Sequence, residues 1–337
     1  MCESRPVNVA VIGLGLIGGS LLRALAAHGH HVTGYDLASS TRAEATAMAR
    51  AAGAHHFADP SIRPVEIKGA WHVTDSVAEA VTDAEVVVLA VPLPAAPAVL
   101  ADLSGFPGLI TDVTSVKGPV RDLMGGLRYV GGHPMAGKES SSFLASDPHL
   151  FDECAWVLCL EPGGTGLADW VTLARLYTSI GARVVPATAD EHDRAVARIS
   201  HVPHLLAAAL SNLIEDNPLA GTLAAGSFRD GTRVAATRPE LIAAMCGGNA
   251  DAVREAMELV LSDLSIFTES LDSVDELTGL LRRPGELRRG WPAAPGVPVE
   301  IGLDRESLLA LGRAGGWVTR VGDTAIGMRP ETDLKAS

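Results

Sequence analysis

The sequence predicts an α/β fold: an N-terminal doubly wound sheet, then an all-helical domain, then a short C-terminal extension. Three observations predict it. Short continuous apolar runs alternate with helical periods from Val7 to about Pro186. A G-x-G-x-x-G turn joins the first run to the first helical period. The strand-like runs then stop, and residues 187–281 read as helix. Strands alternating with helices mean a mostly parallel sheet with right-handed crossovers.

VNVAVIG (7–13) reads as a buried strand and LIGGSLLRALAAHG (16–29) as a helix closed by Gly29. HVTGYD (31–36) is the second strand, and TRAEATAMARAAG (41–53) a helix ended by Gly53. Residues 57–69 read as a loop insertion before a strand at Trp71. AEVVVLAV (84–91), LITDV (109–113), a short run at 128–130, AWVLCL (155–160) and ARVVP (182–186) follow. All but the short run at 128–130 are apolar and rich in β-branched residues, as parallel strands covered on both faces should be. Residues 193–216 and 240–271 read as two long helices. RRPGELRRGWPAAPG (282–296) reads as a linker, and 297–320 as one strand–helix–strand unit. The expected domains are therefore 1–187, 188–281 and 282–337.

Composition narrows the function. Hydrophobic residues make up 47% and aromatics 4%, so a sizeable core must be filled by small aliphatic side chains. The net charge of −13 argues against nucleic acid or an anionic membrane as partner. No apolar run is long enough to cross a bilayer, which takes about 18 residues or more. The first residues carry no apolar stretch of a signal peptide. Cys2, Cys154, Cys159 and Cys246 form no C-x-x-C pair and read as thiols in a reducing compartment, so the cytoplasm is expected. No metal site is expected.

Gly13-Leu14-Gly15-Leu16-Ile17-Gly18 fits G-x-G-x-x-G between a strand and a helix. In that context the first glycine allows the tight turn, the second admits a pyrophosphate, and the third lets helix and strand pack closely. The helix N-terminus offers N–H groups and a positive dipole end to phosphate. Asp36 ends the second strand. A carboxylate there accepts bonds from ribose hydroxyls and repels a 2′-phosphate, which favours NAD over NADP; Arg42 nearby pulls the other way. Val91 and Pro92, where run 84–91 ends, complete the expected cofactor residues of a Rossmann-type domain.

Three further segments are rich in reactive side chains. Asp112-Val113-Thr114-Ser115-Val116-Lys117 leaves an apolar strand, so Ser115 and Lys117 should face the ligand crevice at the strands' carboxyl ends. Gly131-Gly132-His133-Pro134 follows another short strand. Ser200-His201-Val202-Pro203-His204 lies in the helical domain, where i,i+3 spacing gives the two histidines one shared face and Pro203 should kink the helix.

Together these segments resemble the prephenate dehydrogenase family of tyrosine biosynthesis, with its arogenate- and cyclohexadienyl-specific relatives. The carriers are GLGLIGGS (13–20), DVTSVK (112–117), GGHPMAG (131–137), DEHDRAVARISHVPH (190–204) and GSFRDGTRVA (226–235). The resemblance implies that His133 is the general base for the substrate ring hydroxyl and that Ser115 hydrogen-bonds both. It implies that Arg233 binds a substrate carboxylate, that His201 or His204 meets the substrate side chain or the nicotinamide surroundings, and that Ser200 and Asp193 line or order the site. The implied reaction is NAD-dependent oxidative decarboxylation of prephenate to 4-hydroxyphenylpyruvate, with arogenate as the alternative substrate. A homodimer is expected because the apolar helices of 188–281 exceed what one Rossmann face can cover. Ile242 stands where many members carry a tryptophan. The tail is too short for an appended regulatory domain of the ACT kind. A β-hydroxyacid dehydrogenase would need an interdomain lysine, and none occurs between Lys138 and Lys335. A non-enzymatic NAD sensor would not need the three reactive segments.

Overall fold

The computed structural model describes residues 5–53, 71–138, 142–292 and 296–330. The insertion expected at 57–69 lies outside the described residues. The chain divides into two units. The first comprises residues up to Ala189 together with Gly296–Pro330, and the second comprises Asp190–Pro295.

The first unit holds two six-stranded sheets. Strands β1 (Asn8–Ile12), β2 (His31–Tyr35), β3 (Trp71–Val73), β4 (Val86–Leu89), β5 (Leu109–Asp112) and β6 (Tyr129–Val130) are all parallel, in the order β3-β2-β1-β4-β5-β6. The crossovers are α1 (Leu16–Ala27), α2 (Ser39–Gly53), α3 (Val77–Ala80), α4 (Ala96–Asp102) and α5 (Gly118–Leu123). Side chains alternate across each strand. Val9 and Val11 of β1 pack with Leu21, Leu22 and Leu25, while Ala10 and Ile12 pack with Val77, Leu103 and Val120. Both faces are covered, which is why the strands read as unbroken apolar runs.

The chain leaves this sheet after β6 and begins a second one. It contains β7 (Gly132–Pro134), β8 (Ala155–Cys159), β9 (Arg183–Ala187), β10 (Val297–Ile301), β11 (Trp317–Val321) and β12 (Ala325–Arg329), ordered β10-β12-β11-β9-β8-β7. Only β8 and β9 run parallel, joined through α6 (Leu167–Ser179). Trp156 of β8 stacks on Tyr177 of α6 at 3.9 Å between centroids, with Phe151 at 5.0 Å, and this cluster fixes α6 on the sheet. The structure therefore differs from expectation twice. The runs at 155–160 and 182–186 are strands, but of the second sheet. The C-terminal segment also pairs into that sheet, with β11 beside β9 through Val318 and Val184. The helix Arg305–Arg313 adds to the join, since the Arg305 guanidinium donates to Thr165 O at 2.8 Å. Periodicity marks a strand but does not name its neighbour.

The second unit is helical: α7 (Ala189–Val196), a π-helical turn (Ala197–His201), α8 (Val202–Ser211), α9 (Pro218–Leu223), α10 (Gly226–Thr232), α11 (Pro239–Gly247), α12 (Ala250–Glu269) and α13 (Val274–Arg289). The helix expected over 240–271 breaks at Gly248-Asn249. In turn α13 runs through Pro284 into the segment expected to be a linker. An internal proline costs a helix about 3 kcal/mol. Here Ser273 caps the N-terminus by accepting from Glu276 N at 3.3 Å, Asp275 and Glu276 lie in the first turn, and Arg288 and Arg289 in the last. Each favours the helix. The buried core of this unit is small: Ala197, Val202, Val253 and Ala256. Leu259, Leu261, Leu264 and Ile266 on α12 remain exposed.

Candidate active site

At the carboxyl end of β1 the chain turns sharply. Gly13 has φ +99°, and its N–H donates to Tyr35 O at 2.7 Å. A Cβ at Gly13 would lie 2.5 Å from Ala90 O, and one at Gly18 1.9 Å from Gly13 O. Only glycines let this turn close onto α1 and the end of β4. Val91 is beside it, with Cγ1 3.0 Å from the position a Gly13 Cβ would take, and Pro92 follows. Gly15 is the N-cap of α1 and contributes no side-chain bond, and Leu16 and Ile17 open a first turn without an acidic residue. The first-turn N–H groups thus point toward a site suited to an anion.

Asp36 stands just past β2. Its Oδ2 accepts from Leu14 N at 2.7 Å and its Oδ1 from Ala38 N at 2.9 Å, which holds the carboxylate at the rim of the glycine turn. Arg42 donates to the carbonyls of Asp36 and Leu37, at 2.9 and 3.1 Å, and to Asp75 Oδ1 at 3.2 Å. These residues fit a dinucleotide whose pyrophosphate lies on the glycine turn and whose ribose meets Asp36.

Ser115 and His133 are both half-buried in the first unit. A buried polar cluster links the segments that carry them. Asp112, at the end of β5, is 1% exposed and Lys117 0%. Asp112 Oδ2 accepts from Lys117 Nζ, from the Thr114 hydroxyl and from Thr114 N at 3.0 Å. Asp112 Oδ1 accepts from Tyr129 OH at 2.6 Å and Gly132 N at 3.1 Å. Lys117 Nζ also donates to Gly132 O at 2.7 Å. Burial and the neighbouring Asp112 charge push the Tyr129 phenol well above its ordinary range. The sequence reading put Lys117 in the crevice. The structure turns it inward, because Asp112 and a backbone carbonyl together replace its water.

In the second unit Ser200 and His204 are half-buried, and His204 Nδ1 lies 2.8 Å from Ser200 O. Arg233 is exposed, in a turn packed against α8, the helix that carries His204. His201 departs from expectation. It lies at the end of a π-helical turn, is 1% exposed and points into the unit, with Nδ1 3.3 Å from Asn249 Nδ2. The same Asn249 amide donates to Asp193 O at 2.7 Å. Burial, with lesser effects from His192 and His204, lowers the His201 pKa to about 4, against an opposing pull from Asp193. In this structure His201 is thus buried within the helical unit, with burial favouring its neutral form. The His192 ring meets Asp193 at 2.7 Å. Sequence reasoning missed Asp112, Tyr129 and Asn249 as site supports. Asp112 ends a strand and Asn249 follows two helix-breaking glycines, which were readable signals; Tyr129 carried none. Among the described residues no three His, Cys, Asp or Glu side chains gather as metal ligands.

Family comparison agrees with this layout. Residues 58–186 match the profile described as prephenate dehydrogenase, nucleotide-binding domain, and 188–282 the profile described as prephenate dehydrogenase, dimerization domain. Residues 8–93 also match the NAD binding domain of 3-hydroxyacyl-CoA dehydrogenase. A Zymomonas mobilis cyclohexadienyl dehydrogenase is 31% identical over 80% of this chain and 89% of its own length. The chain belongs to the prephenate dehydrogenase family. Another relative in this family, a prephenate dehydrogenase of Lactococcus lactis, is 32% identical over 68% of this chain, a match spanning 61% of the relative's length. The family's Aquifex aeolicus prephenate dehydrogenase, solved with hydroxyphenyl propionate and NAD+, superposes with TM-score 0.72 at 25% identity, over 86% of this chain and 99% of that one. The first unit of this family member is thus an NAD-binding domain.

Two outcomes follow from the geometry. With Asp36 read as the ribose partner, Asp36→Ala is expected to remove charge-assisted bonds worth about 1.5–3 kcal/mol each. Titration should show NAD binding weakened by at least about tenfold and the NAD-to-NADP gap narrowed; a parent enzyme that already prefers NADP contradicts this reading of Asp36. His201 has a folded pKa below its unfolded one, so its contribution is present above the unfolded value of 6.5 and lost as pH falls toward about 4. Between pH 7 and pH 5 that loss is about 2 kcal/mol. Denaturant melts of parent and His201→Asn should differ in pH slope over this window, and equal slopes would refute the assignment.

Proposed function

We propose that this chain catalyses the NAD-dependent oxidative decarboxylation of prephenate to 4-hydroxyphenylpyruvate, in tyrosine biosynthesis. One observation carries the reading. A half-buried imidazole, His133, directly follows Gly132, which is fastened to Asp112 at the carboxyl edge of the dinucleotide-binding sheet, the edge where ligands of such sheets bind.

His133 takes the proton of the ring hydroxyl, with Ser115 hydrogen-bonding the same oxygen. Bound NAD supplies the hydride acceptor. As hydride leaves the carbinol carbon, the bond to the ring carboxylate breaks. Its electron pair flows through the ring to the oxygen, which takes back the proton held by His133; CO₂ departs, and the aromatic product makes the reaction effectively irreversible. Arg233 clamps a substrate carboxylate, for which a guanidinium fork is suited. Ser200 and His204 are the further proposed substrate contacts.

Prephenate is preferred to arogenate in this reading. Arogenate's ammonium calls for a carboxylate partner, and no acid stands within Ser200–His204. The nearby Asp193 is buried against His192. The exposed leucines of α12 and the small core of the second unit support a homodimer through that unit. Among the described residues no helix is long and apolar enough to cross a membrane, and the cytoplasm is the proposed compartment.

Absorbance at 340 nm with NAD and each substrate tests the function. The expected kcat/KM favours prephenate by tenfold or more, about 1.4 kcal/mol of transition-state discrimination. A tenfold ratio toward arogenate reverses the preference, and inactivity with both overturns the function. Light scattering on the same preparation should give twice the chain mass; a monomer removes the dimer.

A further inference from the structure

We infer that the buried Asp112–Lys117 pair is the positioning element of the active site, holding Ser115 and His133 in register; this rests on the function proposed above. The pair closes the loop 112–117, so Ser115 sits on a segment tied at both ends. It also grips Gly132 twice, with Asp112 Oδ1 accepting from its N–H and Lys117 Nζ donating to its carbonyl. Gly132 immediately precedes His133. Both sides of the Ser115–His133 arrangement are thereby referred to one pair of charges.

The approach is close. A Cβ on Gly132 would lie 2.6 Å from Asp112 O and 3.1 Å from Thr111 Oγ1, so β7 starts directly against the end of β5. Tyr129 holds Asp112 Oδ1 from a third direction. Neither charge reaches solvent, so neither contacts substrate. Their effect on the reaction is geometric. A reacting group displaced by about 1 Å costs around 10²-fold in rate.

The test uses the full-length enzyme. The double variant Asp112→Asn/Lys117→Met removes both charges together, a change that folded proteins often tolerate at buried ion pairs. Tyr129→Phe keeps the pair and removes one hydrogen bond. NAD binding counts competent sites, melting temperature reads stability, and steady-state kinetics with prephenate separate kcat from KM. The expected double variant binds NAD within about twofold of the parent and loses about 10²-fold in kcat per NAD-binding site. Its KM should move by less than about threefold. Tyr129→Phe should lose about tenfold or less, but measurably. A double variant with lowered melting temperature and parental kcat per site shows a purely structural pair and overturns the inference. If the double variant does not fold, Tyr129→Phe decides, and a parental kcat there overturns it. Ser115→Ala and His133→Asn run in parallel. Full activity in those two withdraws the proposed function itself, whereas their inactivity beside an active network variant withdraws only the positioning role.

Discussion

Gly132 is held by opposite charges at its two ends: a carboxylate on its N–H and an ammonium on its carbonyl. Removing two charges from water costs several kcal/mol per ion, and mutual attraction repays this only when the remaining hydrogen-bonding capacity is also satisfied. That condition is met. Asp112 receives bonds from Thr114, Tyr129, Gly132 and Lys117, and the ammonium reaches Asp112, Thr114 Oγ1 and Gly132 O. The cluster joins the parallel sheet to the mixed one at the place where the chain crosses between them. A fully satisfied buried network is rigid, and deleting one charge from such a pair typically costs 3–5 kcal/mol.

The cofactor end was the most legible part of the sequence. Gly13 and Gly18 are required by steric contact with backbone atoms that no side chain could share, so the motif and the geometry carry the same information. Asp36 was readable for a similar reason, being the first acid past β2. The partition of strands between two sheets was not readable. Residues 155–159 and 183–187 have the apolar, branched composition of buried strands wherever they pair, and the strand beside β9, β11, comes from the distant C-terminal segment. The same limit explains the C-terminal segment, whose strand–helix–strand pattern was visible while its place beside β9 was not.

In the helical unit, local rules were overridden by packing. Spacing of three put His201 and His204 on one face, but His201 is buried against Asn249 while His204 stays half-buried beside the Ser200 carbonyl. Pro203 signalled an irregularity without revealing its form. Asn249 completes the arrangement by bridging the Asp193 carbonyl and the His201 ring. Pro284 misled in the opposite sense, because capping and end charges sustain α13 across it.

The central claim is that His133 removes the substrate proton as hydride leaves. Rapid mixing of excess enzyme and NAD with prephenate, followed at 340 nm, reads that single turnover without product release. For His133→Asn the account predicts a rate about 10²–10⁴-fold below the parent, the range of a positioned general base, with NAD affinity unchanged. A single-turnover rate within about fivefold of the parent would contradict it.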